Sequence, residues 1–132
     1  MNDKVLYRVE DGVAYIIINN GKYNLLDIDV RRLLLKYLDE AGRDSSVKVI
    51  VLTGSGENFS AGADLRLFTE MDRVELERFL ERYGTAVIGR RIRDIPKPVI
   101  AVVRGYCVGG GLELIQYCDI ILASEDAKFA QS

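Results

Sequence analysis

Three consecutive glycines, Gly109 to Gly111, lead directly into a segment with the apolar spacing of a helix. Glycine lacks a Cβ, so this backbone can take positive φ and can approach a ligand closely. The first N–H groups of the following helix have no partner within the helix and can face the same ligand. Glu113 adds a carboxylate in the first turn of that helix. The segment predicts an anion or oxyanion site with a candidate acid or base beside it.

A second loop of small residues, 59–65, also follows a buried strand and precedes a helical stretch. Both loops are expected at equivalent ends of parallel strands, which is where open α/β sheets bind ligands. One backbone N–H from each loop can then converge on a single oxygen. The pair of loops predicts a site for a carbonyl oxygen that develops negative charge.

The glycine motifs of nucleotide sites are incomplete in this chain. Leu114 stands where a GxGxxG motif needs its third glycine, and no Lys-Ser or Lys-Thr follows the triglycine segment to form a P-loop. A phosphate-cradling function is therefore disfavoured.

Composition excludes further classes of function. The 132 residues contain no histidine, so catalytic triads, His-based proton shuttles and zincin sites cannot be assembled, and acid–base work falls to carboxylates. The net charge of −2 gives no basic excess for binding nucleic acid. Cys107 and Cys118 are too few for a disulfide framework or a zinc site, so we expect inert thiols and no metal.

Hydropathy indicates one globular domain away from membranes. The balance of 48% hydrophobic and 29% charged residues is ordinary for such a domain. No apolar run approaches the roughly 18 residues of a spanning helix, and residues 1–4 do not resemble a signal peptide. We therefore expect a cytoplasmic protein without a second domain.

The apolar patterns that must position these loops predict alternating strands and helices, an α/β class. A strand over 13–19 has an antiparallel partner at 7–10, and the continuous run 47–53 predicts a strand covered on both faces. Further strands are predicted at 99–103 and 119–123, with another starting at 128–131.

Three helices are predicted between the strands. The first runs from Asp27 and stops at Gly42. The second is a long helix from a capping box at Asp72 toward Pro96, bent or weakened by two internal glycines. The third opens at the triglycine segment and reaches about Cys118.

The two loops, with the surrounding sequence, resemble the crotonase (enoyl-CoA hydratase/isomerase) superfamily. The resemblance rests on Phe59 to Leu65 and on Gly105 to Leu114, followed by Cys118-Asp119-Ile120. Asn24-Leu25-Leu26 and the segment 97–101 extend it over essentially the whole chain. It implies a spiral of ββα units, with residues 1–132 as the N-terminal part of a single domain, truncated before the C-terminal helical region.

The resemblance also implies functional residues. The backbone N–H groups of Ala63 and Gly110 would form the oxyanion hole for an acyl-CoA thioester, and Glu113 would be the first of two carboxylates that hold and activate water. The remaining positions would contact coenzyme A, which enters as part of the substrate, with no separate cofactor: Ala61, Gly62, Asp64, Leu65, Gly109 and, more weakly, Lys22. For Asp64, capping of a helix N-terminus is the competing interpretation.

The implied reaction is hydration of a 2-enoyl-CoA to a 3-hydroxyacyl-CoA. The alternatives are another crotonase reaction (isomerisation, decarboxylation or hydration of a cyclic dienoyl-CoA) or a non-catalytic acyl-CoA-binding or assembly fragment. By the same alignment the second glutamate would follow Ser132 directly. Family members usually assemble as homotrimers or dimers of trimers.

Overall fold

The computed structural model describes residues 3–131, which form two sheets and five helices. The strands are β1 (Val5–Glu10), β2 (Val13–Ile18), β3 (Val49–Gly54), β4 (Val99–Val103), β5 (Tyr106–Val108), β6 (Ile120–Ala123) and β7 (Lys128–Ala130). The helices are α1 (Ile28–Arg43), α2 (Arg66–Glu70), α3 (Arg73–Tyr83), α4 (Thr85–Asp94) and α5 (Gly110–Ile115).

The larger sheet has the strand order β1-β2-β3-β4-β6. β1 is antiparallel to β2, with Val5 opposite Ile18, and the other neighbouring strands are parallel. The predicted hairpin and parallel strands are thereby confirmed. β3 begins at Val49, two residues later than predicted, and only one of its faces is fully buried while the other is half-buried.

The smaller sheet accounts for the two loops. β5 pairs in parallel with β7, and isolated parallel bridges join Ser60 to Cys107 and Leu26 to Ala63. Each strand of the larger sheet from β2 to β4 is thus followed by a short strand or bridge of this second layer and then by a helix. This repeated order confirms the α/β spiral of ββα units.

Capping and periodicity explain α1. The Asp27 carboxylate accepts the backbone N–H of Val30 at 2.9 Å, which satisfies one of the unpaired donors of the first turn. Val30, Leu34 and Leu38 lie on one face and are buried in the core. The predicted stop at Gly42 is wrong by one residue, because the helix continues to Arg43 and ends where Asp44 becomes extended.

The predicted long helix toward Pro96 is two helices. The capping box at Asp72 and Glu75 starts α3 as predicted, but Gly84 takes an extended conformation (ψ 155°) between α3 and α4. A Cβ at Gly84 would lie 2.5 Å from the carbonyl oxygen of Leu80, so the break requires glycine. The third predicted helix is also shorter, since α5 ends at Ile115. No helix within residues 3–131 is long and apolar enough to cross a membrane.

Candidate active site

A cleft of about 810 Å³ lies between the two predicted loops and the α3–α4 junction. Its walls combine small loop residues, apolar side chains and a few charged groups. The lining residues are Leu25, Arg31, Ala61, Gly62, Ala63, Asp64, Leu65, Arg66, Phe68, Phe79, Leu80, Gly84, Thr85, Ala86, Val108, Gly110 and Glu113.

The two loops touch at Gly62 and Gly110. A Cβ at Gly62 would lie 2.9 Å from the carbonyl oxygen of Val108 and 3.3 Å from the Gly110 nitrogen. A Cβ at Gly110 would lie 3.8 Å from the Ala63 nitrogen. Gly62 (φ +100°) and Gly109 (φ +55°) both take positive φ, so the backbone path favours glycine at both positions, and at Gly62 the space also requires it. The loops therefore bring the backbone of Ala63 and of Gly110 close together.

The N–H groups around this contact fall into two sets. Ala61 N–H donates to Tyr23 O at 2.8 Å, Gly62 N–H to Ser60 Oγ at 3.1 Å and Gly109 N–H to Ala130 O at 2.9 Å. Ala63 N–H and Gly110 N–H donate to no acceptor within the part of the chain that the structure describes. These two donors belong to residues that line the cleft, so they can serve a ligand oxygen.

A buried polar network holds the first loop in place. Asn24 Nδ2 donates to the carbonyl oxygens of Asn58 (2.8 Å) and Ser55 (3.1 Å). Ser60 Oγ donates to Asn24 O at 2.7 Å and accepts Gly62 N–H. Asn58 Oδ1 accepts the N–H of Tyr106, the first residue of β5. Asn24, Asn58 and Ser60 are nearly or fully buried. The network therefore fixes the first loop against Asn24 on one side and against β5 on the other.

Glu113 lies on α5, three residues after Gly110, and lines the same cleft. Its backbone N–H donates to Gly109 O at 2.9 Å, which begins the helix. Its side chain is exposed, and Oε1 accepts a hydrogen bond from Gln131 Nε2 at 3.3 Å. The carboxylate is thus accessible to water in the cleft that the two free donors also line.

Four of the six residues expected to contact coenzyme A line the cleft, and two do not. Ala61, Gly62, Asp64 and Leu65 line the cleft, with Leu65 at its rim and 74% exposed. Lys22 and Gly109 are not lining residues, and the Lys22 ammonium lies 5.6 Å from the Tyr23 ring.

Asp64 makes the local contacts of a helix start. Its carboxylate accepts the backbone N–H of Arg66 at 3.1 Å and pairs with the Arg66 guanidinium at 2.6 Å. These bonds hold the pKa of Asp64 below its ordinary value. The capping interpretation has a direct structural basis, although the cap lies one residue before Leu65, where α2 has its N-cap.

Arg31 is a site residue that sequence reasoning missed. It is 3% exposed, and its Nε donates to Leu26 O at 2.8 Å while Nη1 donates to Tyr83 O (3.0 Å) and Thr85 Oγ1 (3.2 Å). Burial lowers its pKa, and the charges of Glu113 and Asp27 counter that effect. The available signal was its position, three and seven residues before Leu34 and Leu38 on the apolar face of α1.

The thiols play no part in this arrangement. Burial raises the pKa of Cys107 and of Cys118 to about 12, so both are protonated at neutral pH. Residues 3–131 contain no group of three or more His, Cys, Asp or Glu side chains that could hold a metal ion.

Comparison with known proteins defines the class. The family model described as Enoyl-CoA hydratase/isomerase matches residues 8–132, and the chain belongs to that family. A short-chain-enoyl-CoA hydratase of Clostridium acetobutylicum is 39% identical over 131 residues, 98% of this chain and 49% of the relative. A crotonyl-CoA hydratase of Syntrophomonas wolfei is 34% identical over 131 residues, 98% of this chain and 50% of the relative.

The fold agrees with the family assignment. A solved enoyl-CoA hydratase/isomerase from Xanthobacter autotrophicus Py2 superposes with a TM-score of 0.90 at 35% identity, over 99% of this chain and 49% of that one. The crotonase resemblance and the crotonase-like fold are thereby confirmed. The chain spans about half the length of the curated relatives it matches.

Proposed function

We propose that the cleft binds an acyl-CoA thioester with its carbonyl oxygen at the N–H groups of Ala63 and Gly110. The observation that supports the proposal is that these two donors lie on touching loops and have no acceptor among the described residues, in a cleft that also contains a carboxylate. Two fixed donors stabilise the enolate oxygen more than the neutral carbonyl, because negative charge develops there during reaction. Coenzyme A is part of the substrate, and no further cofactor is required.

The proposed reaction is hydration of a 2-enoyl-CoA. Glu113 accepts a proton from water as the oxygen of that water bonds to C3, and the electron pair of the double bond moves toward the thioester oxygen. C2 then takes the proton that Glu113 received, which gives the 3-hydroxyacyl-CoA and returns Glu113 to its ionised form. The exposed position of Glu113 beside the donors suits this role, since a general base needs contact with the water it activates.

Sharing of this water with a second carboxylate stays a prediction from the family resemblance, as does assembly into a homotrimer or dimer of trimers.

One observation favours a non-catalytic acyl-CoA-binding chain as the second candidate. Of the two carboxylates that line the cleft, Asp64 is already paired with Arg66, which leaves Glu113 as the single lining carboxylate without a cationic partner among the described residues.

Glu113→Gln tests the proposed role, with Glu125→Gln as the matched control because Glu125 lies in an exposed turn and does not line the cleft. The assay measures hydration of crotonyl-CoA as the loss of the enoyl absorbance. It is run with residues 1–132 and with the whole protein. We expect kcat of the Glu113 variant to fall about 10²- to 10⁴-fold and the control to keep its rate. An unchanged kcat for Glu113→Gln would rule out the general-base role, and binding without turnover by the wild type would favour the second candidate.

A further inference from the structure

The Arg31 side chain is a buried cation without a buried anion. None of the ion pairs within residues 3–131 includes it, although it is 3% exposed. Its three hydrogen bonds go to two carbonyl oxygens and one hydroxyl, all uncharged acceptors. A buried guanidinium is costly unless an anion offsets the lost hydration. The charges of Glu113 and Asp27 offset part of that cost, but neither carboxylate forms an ion pair with Arg31, so a directly bonded anion would stabilise it further.

One nitrogen of the guanidinium remains available. Nε and Nη1 make all the hydrogen bonds of Arg31, and Nη2 has no acceptor among the described residues. A side-chain nitrogen without a partner must be either fully buried or in contact with solvent. Among the described residues, Tyr7 Oη is the one polar side-chain atom that is fully buried without a partner, so Nη2 of Arg31 is in contact with solvent. Because Arg31 lines the cleft, Nη2 can donate to a molecule bound there.

Contacts place Arg31 near Gly110, one of the two residues proposed to bind the thioester oxygen. Thr85 Oγ1, which accepts from Nη1, lies 3.4 Å from the position of a Cβ on Gly110. Thr85 therefore lies between Arg31 and Gly110. Arg31 is buried, whereas Leu65, one of the residues expected to contact coenzyme A, lies at the exposed rim of the cleft. The apolar side chains of Leu25, Phe79 and Leu80 line the same cleft and suit a few methylene groups.

We propose that Nη2 of Arg31 binds a carboxylate at the far end of a short acyl group, so that the cleft selects the coenzyme A thioester of a dicarboxylic acid. The inference rests on the proposed acyl-CoA function and specifies its substrate class. The phosphates of coenzyme A are the other anions that such a cation can bind. They belong to the end of the ligand that stays hydrated, which disfavours them at a residue as buried as Arg31.

Binding of two matched thioesters distinguishes these sources. Glutaryl-CoA and pentanoyl-CoA have the same number of acyl carbons and the same nucleotide, and they differ by the terminal carboxylate. Isothermal titration of the wild type is expected to give about tenfold tighter binding of glutaryl-CoA, as for a charged hydrogen bond. Arg31→Met should remove this preference while pentanoyl-CoA binding stays within about twofold, and Arg31→Lys, which keeps the charge, should retain part of it.

Arg32→Met is the control, because Arg32 is the adjacent cation of α1 and its side chain is 54% exposed. It should keep the wild-type preference. Equal binding of both thioesters by the wild type would overturn the inference and leave the proposed function standing, whereas binding of neither would refute both. Equal weakening of both by Arg31→Met would assign Arg31 to the nucleotide or to the fold. If circular dichroism shows that Arg31→Met is unfolded, the wild type and Arg31→Lys decide: a preference kept by both supports the inference, and its loss in the lysine variant contradicts it.

Discussion

Gly62→Ala probes the contact between the two loops that the proposed oxyanion site requires. The added Cβ would lie 2.9 Å from Val108 O and 3.3 Å from the Gly110 nitrogen, and both neighbours are backbone atoms. Relief therefore requires one loop to move away from the other. The residue would also be held at φ +100°, which costs an L-residue about 1–3 kcal/mol.

The expected effect on catalysis is separate from the effect on folding. Loss of one oxyanion donor raises the barrier by about 3 kcal/mol, which corresponds to a rate loss of about 10²- to 10³-fold. A displacement of a few tenths of an ångström weakens both donors without removing either, so we expect kcat/KM for crotonyl-CoA to fall about 10- to 100-fold. Thermal unfolding of the same sample measures the loss of stability.

Gly56→Ala separates strain from displacement. Gly56 also has positive φ (+74°), but nothing lies within 4 Å of the position that its Cβ would take. This variant should lose roughly 1 kcal/mol of stability and keep its kcat/KM. If Gly62→Ala lost stability like Gly56→Ala and retained the wild-type kcat/KM, the argument that the two loops form one site would be refuted.

Two further predictions concern the support of the site and its thiols. Asn24→Ala should reduce the free energy of unfolding by about 2–4 kcal/mol, because it leaves buried carbonyl groups without their donor, and a loss below about 0.5 kcal/mol in urea denaturation would contradict the network. Native Cys107 and Cys118, each with a pKa of about 12, should react with iodoacetamide at pH 8 at least about a hundredfold more slowly than the unfolded chain. Equal alkylation rates in the native and unfolded chain would refute the burial of the thiols. The raised pKa of both thiols should also lower the free energy of unfolding as the pH rises from about 9 toward 12, because unfolding then releases protons that the folded state retains.

Much of the framework follows from local sequence. Asp27 and the apolar spacing after it predict α1, and the β-branched runs predict β3 and β4 to within two residues. The break at Gly84 does not follow, because the helical apolar spacing continues across it. Its extended conformation depends on the close approach of Leu80 O, which a Cβ would prevent.

Non-local contacts account for the parts of the site that were missed. β5 has three residues and exists through pairing with Ser60 and with β7, so no local pattern marks it. The glycine loops and Glu113 could be found from composition and order, whereas the burial of Arg31 depends on α3 and α4 closing over α1. A cation on a helix is usually solvated, and its place in the apolar stripe was the single local indication.

The proposed function requires one thioester oxygen to bind two backbone donors from different loops. The most direct measurement is a crystal structure of the protein with a bound, unreactive acyl-CoA, in which the distances from the thioester oxygen to the Ala63 and Gly110 nitrogens are read. Both distances are expected at about 2.7–3.1 Å. A thioester oxygen bound elsewhere in the cleft, with water or no ligand at these two N–H groups, would contradict the proposed function.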